Sequence, residues 1–165
     1  MCIRDRVLDD STDQTVGIVA QLVAQLKQSG VNIDHVHRTN RDGYKAGALR
    51  DAMPSATGEF LAIFDADFDP APDYLKQMVP WFTPNVGFVQ ARWEHLNRDY
   101  SILTKTQSIF IDAHFTLEQV ARSRSGLYFN FNGTAGIWRR DALESAGGWS
   151  ADTLTEDVDL SLIHI

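Results

Sequence analysis

Three aspartates follow a short apolar run in the segment G-E-F-L-A-I-F-D-A-D-F-D-P at 58–70. The run at 60–64 is typical of a buried strand, and Asp65, Asp67 and Asp69 come directly after it. In an extended segment, residues i and i+2 point to the same side, so Asp65 and Asp67 are expected to face one ligand. Two carboxylates on one side suit Mg²⁺ or Mn²⁺, which proteins hold with one or two carboxylates plus substrate phosphates. The alternative is a solvated turn, because Asp before Pro is ordinary turn chemistry.

Two more groups of charged residues lie beside other predicted elements. Asp9 and Asp10 end a strand that begins at Val7, and Lys45 lies at the start of a helix rich in small residues, in R-D-G-Y-K-A-G-A-L. A lysine in that place can reach a phosphate or a nucleotide, and the neighbouring glycines allow close approach of the backbone. A single lysine is usually a surface charge, and that alternative stays open.

The motif T-E-D at 155–157 is the third acidic segment. It is predicted to open a helix, with Thr155 as the cap and with Glu156 and Asp157 in the first turn, where negative charge is favourable. That placement is a sufficient structural explanation of the motif. The functional alternative makes Asp157 a general base that removes a proton from an acceptor hydroxyl.

Alternating strand and helix patterns position these residues. Strands are predicted from Val7 and at 31–37, 59–65, 86–93 and 126–131. Helices are predicted at 16–30, 43–53, 73–82, 101–124 and 141–146. This alternation favours an α/β sandwich with a mostly parallel sheet. Ligands of such sheets bind beyond the carboxyl ends of the strands, where both aspartate clusters lie.

Composition excludes several classes of function. The 165 residues are 44% hydrophobic and 22% charged, as expected for one soluble domain with a sizeable core. The net charge of −7 disfavours a nucleic-acid partner. Cys2 is the one cysteine, which excludes an internal disulfide, and no apolar run approaches the ~20 residues that a membrane helix needs.

Both ends of the chain break their local patterns. A strand begins directly after a polar segment, and a helical pattern stops before completion at the carboxyl end. We therefore expect one incomplete domain over 1–165, an internal piece of a longer protein. We also hypothesise that Met1–Arg6 and Ile163–Ile165 are not native to that protein.

Taken in order, six segments resemble family 2 glycosyltransferases. They are V-L-D-D-S-T-D, R-T-N-R-D-G-Y-K-A-G-A-L, F-D-A-D-F-D-P, V-Q-A-R-W, F-N-G-T-A-G-I-W-R and T-E-D-V-D-L, and the likeness covers residues 7–161. Their forms look closest to the membrane-bound, processive β-glycan synthases of the cellulose synthase superfamily, especially its mannan and glucomannan branch. The resemblance implies a GT-A fold, which is a Rossmann-like three-layer sandwich, here incomplete at both ends. It also implies inverting transfer from a UDP- or GDP-hexose to a glycan acceptor.

The resemblance assigns a role to each matching position. Asp9, Asp10 and Lys45 would contact the donor nucleotide, and Asp65 would contact the donor as well. Asp65 and Asp67 would hold Mg²⁺ or Mn²⁺, and Asp157 would be the catalytic base. The acceptor site would be bordered by Gln90, Trp93, Asn132, Gly133, Thr134 and Glu156. Any one of Trp93, Trp138 and Trp149 is more often a core residue than a sugar platform.

The resemblance is incomplete in two respects. The Q-x-x-R-W motif of processive members is absent, and the family's first strand would precede residue 1. Attachment to the cytoplasmic face of the plasma membrane would come from helices outside this segment. Two other classes stay open, a nucleotidyltransferase and a non-catalytic domain that binds a nucleotide or carbohydrate.

Overall fold

The structure is a computed structural model of the chain. It describes residues 2–128, 130–152 and 156–163. In the last of these ranges, four side chains are outside the description, those of Glu156, Asp159, Leu162 and Ile163. The predicted helix cap Thr155 also lies outside the described residues.

Helices and strands alternate along the described chain. The helices are α1 (Thr15–Gln28), α2 (Tyr44–Ala52), α3 (Tyr74–Met78), α4 (Ile102–Ala113), α5 (Val120–Arg124), α6 (Arg140–Ser145) and α7 (Glu156–Ile163). The strands are β1 (Asp5–Asp9), β2 (Ile33–His37), β3 (Phe60–Ile63), β4 (Phe88–Gln90) and β5 (Gly136–Arg139). All five helices predicted by range are confirmed, with ends that differ by a few residues, and α7 begins at Glu156, where the T-E-D motif predicts a helix.

The strands form two sheets. β1 and β2 pair in parallel, and their ends meet at Asp9 opposite His37. In the second sheet, β5 lies between β3 and β4 and runs antiparallel to both. The predicted α/β class is confirmed, with an antiparallel strand inside a sheet that the sequence predicted as mostly parallel. Since Gly136 lies opposite Ile63, β5 begins where β3 ends, and the loop before β5 therefore lies beside Asp65.

The strand predicted at 126–131 is wrong, because the fifth strand begins at Gly136. The described residues of 126–131 form a turn and a loop. The backbone of this loop is held by side chains: Gln119 donates to the carbonyl oxygen of Asn130, and Gln90 accepts from the amide of Asn132. These bonds replace the ladder that a strand would need.

The long helix predicted at 101–124 is continuous but changes its winding. Ser101 and Thr104 form a reciprocal capping box at the start of α4. Between α4 and α5 runs a π-helical segment, His114–Gln119. Such segments are rare and are often found at functional sites. Apolar side chains on this helix are exposed, including Leu103, Phe110 and Leu117.

An aromatic cluster forms the core beneath the second sheet. Trp138 is fully buried, and its ring stacks on Phe88 with the centroids 4.6 Å apart. Phe131 meets it edge-on at 5.6 Å, and the ring of buried Trp149 also meets it edge-on at 6.4 Å. Trp138 and Trp149 are therefore core residues, and Phe131 anchors the loop that precedes β5. Across the described residues, no helix has both the length and the apolar character required to traverse a bilayer.

Candidate active site

Lys45 links two of the predicted motifs. Its ammonium, in the first turn of α2, donates to the carboxylate of Asp65 and to the carbonyl oxygen of Gly133, the latter at 2.8 Å. The side chains of Lys45 and Asp65 remain 37% and 41% exposed, so a ligand can reach both charges. Lys45 is therefore part of a site rather than an isolated surface charge.

Gly133 brings the third motif to the same place. Its φ is +75°, and a Cβ added there would lie 2.9 Å from Oδ2 of Asp157 and 3.4 Å from Nζ of Lys45. The other carboxylate oxygen of Asp157 accepts from the amide of Val158 at 2.9 Å, at the start of α7. Oδ2 of Asp157 thus faces the space beside Gly133, next to the lysine.

Thr134 and Gln90 fix the loop that carries Gly133. The Thr134 hydroxyl accepts from the amide of Asp65 at 2.9 Å, which ties the loop to the end of β3. Gln90 accepts from the amide of Asn132 at 2.9 Å and donates to the carbonyl oxygen of Thr134 at 2.9 Å. Both the oxygen and the nitrogen of the Gln90 amide are therefore bonded to the backbone of the loop, so Gln90 holds the loop in position.

Asn132 is held by two residues that the sequence analysis missed. Its amide nitrogen donates to Nε2 of His114 at 2.9 Å, and its oxygen accepts from Gln119 at 3.0 Å. Since Nε2 of His114 accepts there, Nδ1 of His114 carries the proton and donates to Glu118 at 3.0 Å. His114 and Gln119 begin and end the π-helical segment. The two residues are five positions apart, and this spacing puts both side chains on the Asn132 side only in a π-helix. The sequence pattern predicted an ordinary helix and therefore did not identify either residue.

Asp10 is paired with Arg38, which the sequence analysis also missed. The guanidinium donates through Nε and Nη2 to the two carboxylate oxygens, and through Nη1 to Asp51 at 2.9 Å. It also donates to the carbonyl oxygen of Tyr44 at 3.1 Å. The hydrogen bond from Arg38 lowers the pKa of Asp10. Asp10 and Arg38 together fix the start of α2, and so the position of Lys45.

Asp9 is buried, with 6% of its surface exposed. One carboxylate oxygen accepts from the amide of Ser11 at 2.8 Å, and the other is 2.9 Å from Nε2 of His35. Burial by itself would raise the pKa of Asp9, but the hydrogen bonds from Ser11 and His35 outweigh it and lower the pKa to about 2. Asp9 is therefore ionised and engaged by its own neighbours.

Asp65 and Asp67 lie on a turn rather than in an extended segment. β3 ends at Ile63, and the amide of Phe68 donates to the carbonyl oxygen of Asp65 at 3.1 Å. The premise that the two carboxylates share one side of a strand is therefore wrong. Asp67 is exposed and Asp65 is partly exposed on the same short turn. Their hard oxygen atoms are accessible and fit Mg²⁺ or Mn²⁺.

Two predicted acceptor residues, Trp93 and Glu156, have no described side-chain contact with Lys45, Asp65 or Asp157. Trp93 meets Phe115 edge-on at 5.7 Å, and its Nε1 is buried without a hydrogen-bond partner among the described residues. Glu156 begins α7, but its side chain lies outside the description. The residues brought together are thus Lys45, Asp65 and Asp157, around the loop of Asn132, Gly133 and Thr134.

Comparison with known proteins identifies related chains. The model of a family described as "Glycosyltransferase like family 2" matches residues 6–163. The parallel and antiparallel sheets, with helices between the strands, are consistent with a partial GT-A fold.

Three plant proteins illustrate the similarity. Glucomannan 4-beta-mannosyltransferase 2 of Arabidopsis thaliana is 46% identical over 95% of this chain, and the match covers 30% of that protein. Probable glucomannan 4-beta-mannosyltransferase 7 of Oryza sativa subsp. japonica is 47% identical over 95% of the chain and 28% of its own length. Glucomannan 4-beta-mannosyltransferase 9 of Arabidopsis thaliana is 45% identical over 95% of the chain and 31% of its own length. The chain therefore spans less than a third of the length of these relatives.

Proposed function

Because this chain belongs to the glycosyltransferase like family 2, we propose that it is the donor-binding catalytic part of an inverting glycosyltransferase. The reaction transfers a hexose from a UDP- or GDP-sugar to a glycan acceptor and builds a β-linked glycan. The names of the similar plant proteins favour a mannosyl donor for this chain. The family match favours this function over a nucleotidyltransferase.

The observation that carries the proposal is the bridge made by Lys45. Its ammonium joins Asp65 to the carbonyl oxygen of Gly133, and Oδ2 of Asp157 faces the same glycine. A positive charge, an accessible carboxylate and a second carboxylate that faces Gly133 therefore lie within one small region. These are the groups that transfer from a nucleotide diphosphate requires.

In the proposed mechanism, each group has a separate task. Lys45 attracts the negatively charged diphosphate of the donor. Asp65 and Asp67 hold a divalent cation, which when bound stabilises the charge of the departing nucleoside diphosphate. Oδ2 of Asp157 accepts the proton of an acceptor hydroxyl. The oxygen of the acceptor hydroxyl forms the new bond to the anomeric carbon while the bond between that carbon and the diphosphate breaks, so an α-linked donor gives a β-linkage.

The loop before β5 holds residues in fixed positions beside the reacting groups. Gly133 has no side chain, so the loop passes close to Oδ2 of Asp157, which a Cβ at this position would approach to 2.9 Å. Asn132 and Thr134 are held on either side of it by hydrogen bonds to the π-helical segment and to the end of β3. A fixed loop lowers the cost of aligning the reacting atoms. We propose that Trp93, although it packs on Phe115, and Glu156, the first residue of α7, border the acceptor site.

The longer protein is also part of the proposal. Since the chain spans less than a third of the length of the three plant relatives described above, we place the remaining donor contacts and the membrane-anchoring helices outside it. The active site would then face the cytoplasm.

Donor binding is tested by thermal unfolding of the chain with MnCl₂ and either GDP or UDP. A ligand at about 100 times its dissociation constant stabilises the native state by about 2.7 kcal/mol, which corresponds to a rise in Tm of about 5–10 °C. Asp65→Asn should remove this rise, whereas Asp69→Asn, an exposed aspartate of the same segment, should retain it. If Tm does not rise with any pairing of nucleotide and divalent metal, donor binding is contradicted.

A further inference from the structure

Two histidines meet Asp9, which the resemblance assigns to the donor nucleotide, at the ends of β1 and β2. The reaction proposed above gives none of these three residues a step. His35 and His37 are two residues apart in β2 and therefore project from the same face of the strand. Asp9 is the last residue of β1 and pairs opposite His37 in the parallel register. The sheet thus fixes all three backbone positions.

The side-chain atoms are spaced as metal ligands are. Oδ2 of Asp9 lies 2.9 Å from Nε2 of His35 and 3.5 Å from Nδ1 of His37. One atom from each of the three residues lies within 4.8 Å of the other two. Zinc bonds of about 2.0–2.1 Å in a tetrahedron put neighbouring ligand atoms about 3.3 Å apart. The distance from Asp9 to His35 lies below that value, and the distance from Asp9 to His37 lies above it.

We propose that Asp9, His35 and His37 form a binding site for a divalent transition-metal ion of the zinc class. Two imidazoles and one carboxylate suit Zn²⁺ or Co²⁺, whereas Mg²⁺ is bound through oxygen atoms. Three protein ligands leave a fourth tetrahedral position for water. The site is separate in chemistry from the oxygen-only site proposed at Asp65 and Asp67.

The protons of the two rings do not prevent binding. Oδ2 of Asp9 faces Nε2 of His35, and the carbonyl oxygen of Asp9 is 3.0 Å from Nδ1 of His37. Both oxygens accept, so these ring nitrogens carry protons in the metal-free protein. A neutral imidazole moves its proton to the other ring nitrogen and presents a lone pair to the metal.

The surroundings orient the ligands before a metal arrives. The amide of Ser11 binds Oδ1 of Asp9, which leaves Oδ2 directed at the histidines. The Asp9 and His35 side chains are 5% and 13% exposed, and His37 is 30% exposed, so an ion can enter past His37. A metal bound there would crosslink the ends of β1 and β2 and raise the stability of the first sheet.

The test uses the untagged 165-residue chain, with Co²⁺ as a spectroscopic probe and Zn²⁺ in competition with a chromophoric chelator. We expect one tightly bound ion per chain and the visible absorption of tetrahedral Co²⁺. His35→Gln and His37→Asn, which keep an amide near the lost ring nitrogen, should each weaken Zn²⁺ affinity at least about tenfold. His95→Gln, a histidine after β4, should leave the affinity unchanged.

A second variant separates this site from the catalytic one. Asp65→Asn should leave Zn²⁺ affinity unchanged while it removes the nucleotide-dependent rise in Tm. Absence of Zn²⁺ binding would overturn the proposal. So would an affinity that His37→Asn does not change, or one that Asp65→Asn lowers equally. Circular dichroism of each variant before titration establishes that it is folded, so a lost affinity reports the ligand.

Discussion

Gly133→Ala tests how closely the loop, the lysine and the carboxylate are packed. A methyl group there would lie 2.9 Å from Oδ2 of Asp157, and ordinary contact begins at 3.4 Å, so the carboxylate has to move by about 0.5 Å. The φ of +75° adds the left-handed penalty of a non-glycine residue, about 1–2 kcal/mol. The backbone penalty alone should lower Tm by about 2–8 °C.

Gly126→Ala is the matched control. Gly126 has a φ of +69°, and no atom lies within 4 Å of the position of an added Cβ. Both variants carry the same backbone penalty, and only Gly133→Ala disturbs Asp157. In a complete enzyme that contains this segment, we expect Gly133→Ala to slow transfer at least about tenfold relative to Gly126→Ala. Equal Tm values and equal transfer rates for the two variants would refute the packing described here.

Three further predictions concern the surroundings of the site. Burial raises the pKa of Tyr74 to about 12, so the unfolded chain loses the phenol proton at a lower pH than the folded chain does. The free energy of unfolding therefore falls as the pH rises from 10 to 12. Since Tyr74→Phe has no such proton, its free energy of unfolding relative to that of the wild type should increase by about 2 kcal/mol by pH 12 in urea denaturation. Arg38→Lys cannot keep two parallel bonds to Asp10 and should cost about 1.5–3 kcal/mol in the same assay, with equal stability contradicting the pairing. Gln119→Leu removes the donor to Asn132. It should lower the transfer rate of a complete enzyme by more than the accompanying loss of stability, measured as Tm, accounts for. An unchanged transfer rate would exclude a positioning role for Gln119.

The helices could be predicted because their signals are local. Apolar residues at helical spacing and the stop at Gly30 predicted α1, and small residues after Gly43 predicted α2. The strand at 126–131 failed because its local pattern was overridden by distant side chains, those of Gln90 and Gln119. No pattern within a short window reports which backbone a glutamine from another element will bind.

The candidate site likewise contains residues that could be predicted from the sequence and residues that could not. The family resemblance placed Lys45, Asp65 and Asp157 in one site, and the structure brings these three residues together. The sequence analysis missed Arg38, whose importance depends on carboxylates from other elements. It also missed His114, which reaches the site only because the helix winds as a π-helix.

Asp157 is the proposed base of a donor site built by Lys45 and Asp65. The most direct measurement compares wild type and Asp157→Asn in a complete enzyme that contains this segment, recording transfer and donor-nucleotide affinity on the same samples. We predict that transfer is abolished while nucleotide affinity is nearly unchanged, since Asn keeps the shape but cannot accept the proton. Retained transfer, or a nucleotide affinity that falls as far as the transfer rate, would show that Asp157 does not act primarily as the base.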